Sequence, residues 1–216
     1  MNSGFIGLDF QTYSDVNLPK AGLDRYINSP AFQPLIASID DGQSPPVTFD
    51  FIFDGADAQA AFLDRLHFEV NWGRTLVAHN VGFERAVLKW MGAEDDLLKR
   101  MVDSAVVSRM VGAGSHLEAA APQLTGVDKL ETGKELIMLF SVPNEQNSWE
   151  APTRKWIEHD LDRLKKWQDF KDYCEVDAAG SRRIVDEYLG MPSVERERLY
   201  EWDTHLMNQA GWPVDL

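Results

Sequence analysis

A chain of 216 residues is long enough to bury a large core and suits one domain, with or without an appendage. Its net charge of −14 lacks the basic footprint by which duplex-binding modules neutralise phosphate, which counts against a free-standing binder of long DNA. A single cysteine, Cys174, excludes an internal disulfide and fits a reducing cytoplasm.

Residues 5–10 are a short apolar run containing Gly7-Leu8-Asp9 and read as a buried strand. Two further strands are expected over 34–39 and 47–53, separated by the turn-rich Asp40-Asp41-Gly42-Gln43-Ser44-Pro45-Pro46. Short turns between successive strands favour antiparallel pairing. Over 57–71, Ala58, Ala61, Phe62, Leu66 and Val70 recur at helical spacing. A short strand over 75–78 leads into a helix over 83–91, and a last strand over 100–103 precedes a helix over 105–111. The acidic run Glu94-Asp95-Asp96 reads as a loop or helix start.

From there the chain reads as helical. Ser115-His116-Leu117-Glu118 has the form of a capping box opening a helix to Leu124. A helix over 131–140 ends near Pro143, and a loop with Asn144, Asn147 and Ser148 follows. Helices over 153–167 and 168–189 come next, the second long and amphipathic, with Gly190 and Pro192 as punctuation. A helix over 194–210 precedes Gly211-Trp212-Pro213-Val214-Asp215-Leu216. Antiparallel strands followed by strand–helix alternation predict an α/β fold, a mixed five-stranded sheet with helices on both faces. No signal peptide is expected ahead of Phe5 and no apolar stretch approaches membrane-spanning length, so a soluble intracellular chain without membrane contact is expected.

Three acids come from three different elements. Asp9 sits on the first strand, and position 11, occupied by Gln11, points to the same side because strand side chains alternate. Tyr173 and Asp177 are four apart and share one helix face. Glu84 enters from the start of the helix that follows His79-Asn80-Val81-Gly82-Phe83. Oxygen ligands of this kind suit hard cations such as Mg²⁺ or Mn²⁺. Two such ions roughly 3.5–4 Å apart support phosphodiester hydrolysis by an activated water. An acidic chain is compatible with that chemistry, because carboxylates repel phosphate only until cations fill the site.

Asp9-Phe10-Gln11-Thr12, Asn80-Val81-Gly82-Phe83-Glu84 and Tyr173-Cys174-Glu175-Val176-Asp177 resemble, in order and spacing, the three exonuclease motifs of the tyrosine-bearing DEDD superfamily. Asp103-Ser104 and Gly133-Lys134-Glu135-Leu136-Ile137, with Phe140 and Pro143, resemble phage members. The segment Leu206 to Asp215 is similar to the lead into a family A, DNA polymerase I-like polymerase domain. The resemblance implies a ribonuclease H-like fold over 1–190 and a connecting helix over 191–216 toward a polymerase domain of the same parent chain. It implies 3′→5′ proofreading of single-stranded or frayed DNA 3′ ends in a host bacterial cytoplasm, with two Mg²⁺ or Mn²⁺ ions. Asp9, position 11 and Asp177 would then hold the first ion, with Asp9 bridging to the second and Glu84 assisting through water. Tyr173 would orient the attacking water, while Thr12, Asn80 and Phe83 would contact the terminal nucleotide.

Two positions depart from the family pattern. Glu84 stands where Asp is usual, one methylene longer, and is expected to cost little. Gln11 stands where the family has Glu; it offers a carbonyl oxygen but no charge and cannot accept a proton. A deliberate substitution and a natural loss both account for it, and either implies impaired activity.

Each motif alone has an ordinary structural reading, as cap, turn or core residue; the three in order outweigh it. His79 reads as a structural hydrogen-bonder and Cys174 as core filler. Trp156, Trp167 and Phe170 read as core, with Trp149 on a loop that could face substrate. Arg182, Arg183, Lys165 and Lys166 read as solvated residues. Two alternatives stay open: a non-catalytic module that binds strand ends or braces the polymerase, and a ribonuclease D-like RNA-processing enzyme.

Overall fold

The apolar run at the start of the chain becomes the longest strand, β1 (Phe5–Tyr13), in a computed structural model that describes residues 4–126, 132–188 and 204–207. It continues past Phe10 because Gln11, Thr12 and Tyr13 keep pairing across a register shift between Gln11 and Thr12. Two short helices absent from the sequence reading follow, α1 (Leu18–Ala21) and α2 (Leu23–Ile27). The Asn17 side chain caps α1 by accepting the Lys20 N–H at 3.1 Å.

β2 (Gln33–Asp40), β3 (Val47–Asp50), α3 (Gly55–Asn71), β4 (Thr75–Ala78), α4 (Gly82–Trp90), α5 (Asp95–Leu98), β5 (Met101–Asp103) and α6 (Ser104–Met110) come next. Then α7 (Leu117–Thr125), α8 (Gly133–Phe140), α9 (Arg154–Glu158) and α10 (Leu161–Tyr188) complete the described elements that carry the site. The sheet order is β3-β2-β1-β4-β5. The first three strands are antiparallel, and β4 and β5 run parallel to β1. This is the expected α/β fold with a ribonuclease H-like arrangement.

Several expected boundaries move for local reasons. β3 stops at Asp50 because its carboxylate accepts the N–H groups of Ile52 and Phe53, turning the chain. The helix expected over 153–167 is broken at Asp160, whose carboxylate accepts the N–H groups of Asp162 and Arg163 and starts α10. α10 then runs unbroken through the expected boundary at Trp167. The capping box at Ser115 does not form: His116 is the N-cap of α7 and makes no side-chain cap bond. Residues 204–207 are helical. The rest of the expected 194–210 helix, Glu131, Leu189, Gly190, Pro192 and the segment 211–216 lie outside the described residues.

Alternation along β1 separates two environments. Ile6, Leu8 and Phe10 enter a core with Phe62 and Leu66 of α3 and Val87 and Leu88 of α4. Gly7, Asp9 and Gln11 face α10. Glu69, at a helical core position of α3, is 1% exposed and bonded to Arg65 and Arg74, while the expected core residue Ala61 is exposed. Trp167 and Phe170 are buried with Phe140 under α8–α10 as expected, and Trp149 is 64% exposed on its loop. Among the described residues, no helix is long and apolar enough to cross a membrane.

Candidate active site

Close approach of α10 to β1 builds the site. A Cβ on Gly7 would lie 2.1 Å from the Ala178 carbonyl oxygen, so only glycine lets the helix settle on the strand. One turn earlier, the Cys174 thiol donates to the Asp9 carbonyl at 3.4 Å. Burial, with the charge of Asp9 adding to it, holds that thiol well above its usual pKa, so Cys174 stays a neutral packing group. The flanking residues Tyr173 and Asp177, 4% and 6% exposed, are thereby carried to the Asp9 side chain.

Polar anchors fix the helix across the antiparallel strands. Thr48 on β3 donates to Glu175 at 2.6 Å, and the indole N–H of Trp167 donates to Asp50 at 2.8 Å. Arg182 donates to Asp40 on β2 at 2.8 Å and also pairs with Asp186. Arg182 is therefore a buried anchor and not the solvated residue expected, because its guanidinium fills the space over Gly42. Arg183 is exposed as expected. Lys165 and Lys166 lie on the helix surface in ion pairs with Asp169 and Asp162.

Tyr173 is held from both sides. Its ring stacks on Phe170 at 6.5 Å, and a Cβ on Gly133 would meet it at 2.2 Å. Burial raises its hydroxyl above the usual tyrosine range, and the charges of Asp177 and Asp9 and a hydrogen bond to Asp177 add to that. The phenol stays protonated and acts as a neutral hydrogen-bonding group.

The third acid arrives on the turn after β4. Asn80 adopts a left-handed conformation, φ 64°, tolerated by asparagine. Its N–H donates to Asp103 Oδ1 at 2.9 Å, and the same oxygen caps α6 through the Ala105 N–H at 2.8 Å. His79 bonds the Ser104 hydroxyl and the Ser115 carbonyl, each at 2.9 Å, which is the structural role expected of it. Glu84 follows in the first turn of α4, 4% exposed. Its Oε2 has no hydrogen-bond partner among the described residues. Burial raises the Glu84 pKa well above the carboxylate range, and the charge of Asp9 raises it further.

Gln11 is 8% exposed, and its amide Nε2 donates to Asp9 Oδ2 at 2.8 Å. A donor therefore stands where a second carboxylate would repel Asp9. Among the described residues, no three His, Cys, Asp or Glu side chains are grouped so as to hold a metal ion. The chemistry of the donors still suits a hard divalent cation. Asp9 and Asp177 line one cleft, the Glu84 carboxyl feels the charge of Asp9, and a buried carboxylate without a partner is costly unless a cation satisfies it.

Asp9, Asn80 and Asp177 line a cleft of about 570 Å³ together with His79, His116, Leu117, Glu118 and Lys134. Gln11, Glu84 and Tyr173 lie buried beside it. Thr12 is 4% exposed with its hydroxyl 2.8 Å from that of Tyr26, and Phe83 packs on the Tyr26 ring at 6.1 Å. Neither Thr12 nor Phe83 is among the residues lining this cleft. The sequence reading gave no site role to His116, Glu118 or Lys134. In sequence, His116 and Glu118 fit a capping-box pattern, and Lys134 is one residue of the Gly133-Lys134-Glu135 run.

Fold and site together describe a ribonuclease H-like α/β domain with converging carboxylates. No protein-family model matches the chain. It is 28% identical over 222 residues to the DNA polymerase of Bacillus phage SP02, covering 98% of this chain and 32% of that protein. The chain spans about a third of the length of this relative, and the similarity supports a polymerase-related domain.

Proposed function

We propose that this chain is the 3′→5′ exonuclease domain of a phage family A DNA polymerase. Residues 1–190 form the nuclease, and 191–216 lead toward the polymerase domain. The substrate is a single-stranded or frayed DNA 3′ end, and the products are nucleoside monophosphates. The observation that supports the reading is that Asp9 and Asp177, from strand and helix, line one cleft, and that Glu84, close enough to feel the charge of Asp9, has a buried oxygen without a partner among the described residues.

Asp9, Asp177 and Glu84 would hold Mg²⁺ or Mn²⁺, which when bound lowers the pKa of water and stabilises charge on the departing oxygen. The protein's own groups do the rest. Water attacks phosphorus and the bond to the 3′ oxygen breaks. Tyr173, kept protonated by burial, holds that water by donating or accepting a hydrogen bond and cannot serve as its base. Asn80, exposed on its left-handed turn, offers an amide to the terminal nucleotide, while Thr12 and Phe83 pack on Tyr26 outside the cleft lining. With Gln11 bonded to Asp9, one ligand charge is missing and activity is lowered.

That same bond favours a second reading, a module that binds strand ends without cutting them. Trimming of a 5′-labelled single-stranded DNA in Mn²⁺ by this chain and by Gln11→Glu separates the two. A ladder from the Glu form supports the exonuclease; its absence from both, with binding retained, supports the module. A matched RNA strand tests the ribonuclease D-like alternative.

A further inference from the structure

We infer that Lys134 is the residue through which the cleft grips the phosphodiester backbone of a single strand, with Glu118 as its competitor in the free protein. The inference rests on the nuclease reading and assigns that site a substrate contact.

Electrostatics make the need plain. Asp9, Asp177 and Glu118 line the cleft, and Lys134 is the one lysine or arginine among the described residues that line it. In a chain of net charge −14, an entering strand meets repulsion beyond the reacting phosphate, and each further phosphate needs a counter-charge from the protein. Lys134 is placed to give it. Its neighbour Gly133 is pressed against the Tyr173 ring, so the backbone at the start of α8 is held in register with the site. Its side chain is 82% exposed and reaches Glu118, itself 49% exposed, at 3.6 Å. Such an exposed pair is weak and screened by water, so a phosphate oxygen can replace the carboxylate. Lysine also suits a substrate that moves: an ammonium is a point charge without a fixed fork, and it can follow a strand advancing one nucleotide per cut.

The test is fluorescence anisotropy of a 5′-labelled oligothymidylate in Ca²⁺ across a salt series, with the full chain and its variants. Lys134→Ala should weaken binding roughly three- to tenfold at low salt and reduce the slope of log affinity against log salt by about 0.7. Lys134→Arg should retain most of the binding, and Glu118→Gln should tighten it by freeing the ammonium. Lys155→Ala, which removes an exposed charge on α9 outside the cleft, sets the background. Equal losses from Lys134→Ala and Lys155→Ala, or weaker binding by Glu118→Gln, would overturn the assignment while leaving the nuclease reading intact. No binding by the unaltered chain or by Gln11→Glu would overturn both.

Discussion

The amide of Gln11 donates to Asp9 at 2.8 Å, closing against each other two side chains that the exonuclease reading assigns to one ion. A carboxylate at position 11 would turn this contact into a repulsion that a cation relieves. Gln11→Glu should therefore lower the melting temperature in chelator, by the loss of a part-buried hydrogen bond to a carboxylate worth about 1–3 kcal/mol. Mn²⁺ should restore it, and the same variant should trim DNA on the order of 10²-fold faster. A variant equally stable with and without Mn²⁺ would remove Gln11 from any metal site.

Glu84 gives a pH signature in chelator. Unfolded, it titrates near the ordinary value of about 4.3; folded, it holds its proton to higher pH because burial opposes the charge. Its contribution is thus fully present below the unfolded pKa and is lost as pH rises through the folded one. Glu84→Gln should be more stable than the parent at pH near 7, with the gap closing below about pH 4. Urea denaturation at several pH values measures it; a gap independent of pH would contradict a buried, raised Glu84.

Two glycines should separate stability from activity. Gly7→Ala drives a methyl into the Ala178 carbonyl and must lift α10 from β1. A loss of about 3 kcal/mol or more is expected, or failure to fold. Gly133→Ala meets the Tyr173 ring, a side chain and not backbone, and must shift it off its stack on Phe170. It should cost less stability, about 1–2 kcal/mol, yet strongly reduce trimming in the Gln11→Glu background.

Arg182 and Arg183 are adjacent but should behave oppositely. Arg182→Met leaves Asp40 buried without its partner, at a cost of about 3–5 kcal/mol. Arg183→Met, on an exposed position, should change stability by less than about 0.5 kcal/mol. Similar melting curves for the two would refute the anchoring role of Arg182.

Tyr173→Phe removes the hydroxyl but keeps the ring on Gly133 and Phe170. In the Gln11→Glu background kcat should fall about 10- to 100-fold with KM little changed and the pH profile unaltered on its alkaline side, since the phenol is not the titrating base. A lost alkaline limb would instead make Tyr173 the base.

Local chemistry decided much in advance. Apolar runs bounded by turns located all the strands of the sheet, because alternation and Gly/Pro punctuation act over a few residues. Asp9 near the end of its apolar run, Glu84 at a helix start and Asp177 four residues after Tyr173 on one helix face were legible as site candidates. Contacts distant in sequence were not. Arg182 looks like a surface charge until Asp40 arrives from the far side of the chain to pair it. Ser115 and Glu118 fit a local capping pattern, but the Ser115 carbonyl is engaged by His79 and Glu118 by Lys134. Order along the chain thus determined which elements form and which acids they carry. Only tertiary packing, through the bare surface of Gly7 beneath Ala178, decided that α10 comes close enough to β1 for Asp177 to share a cleft with Asp9.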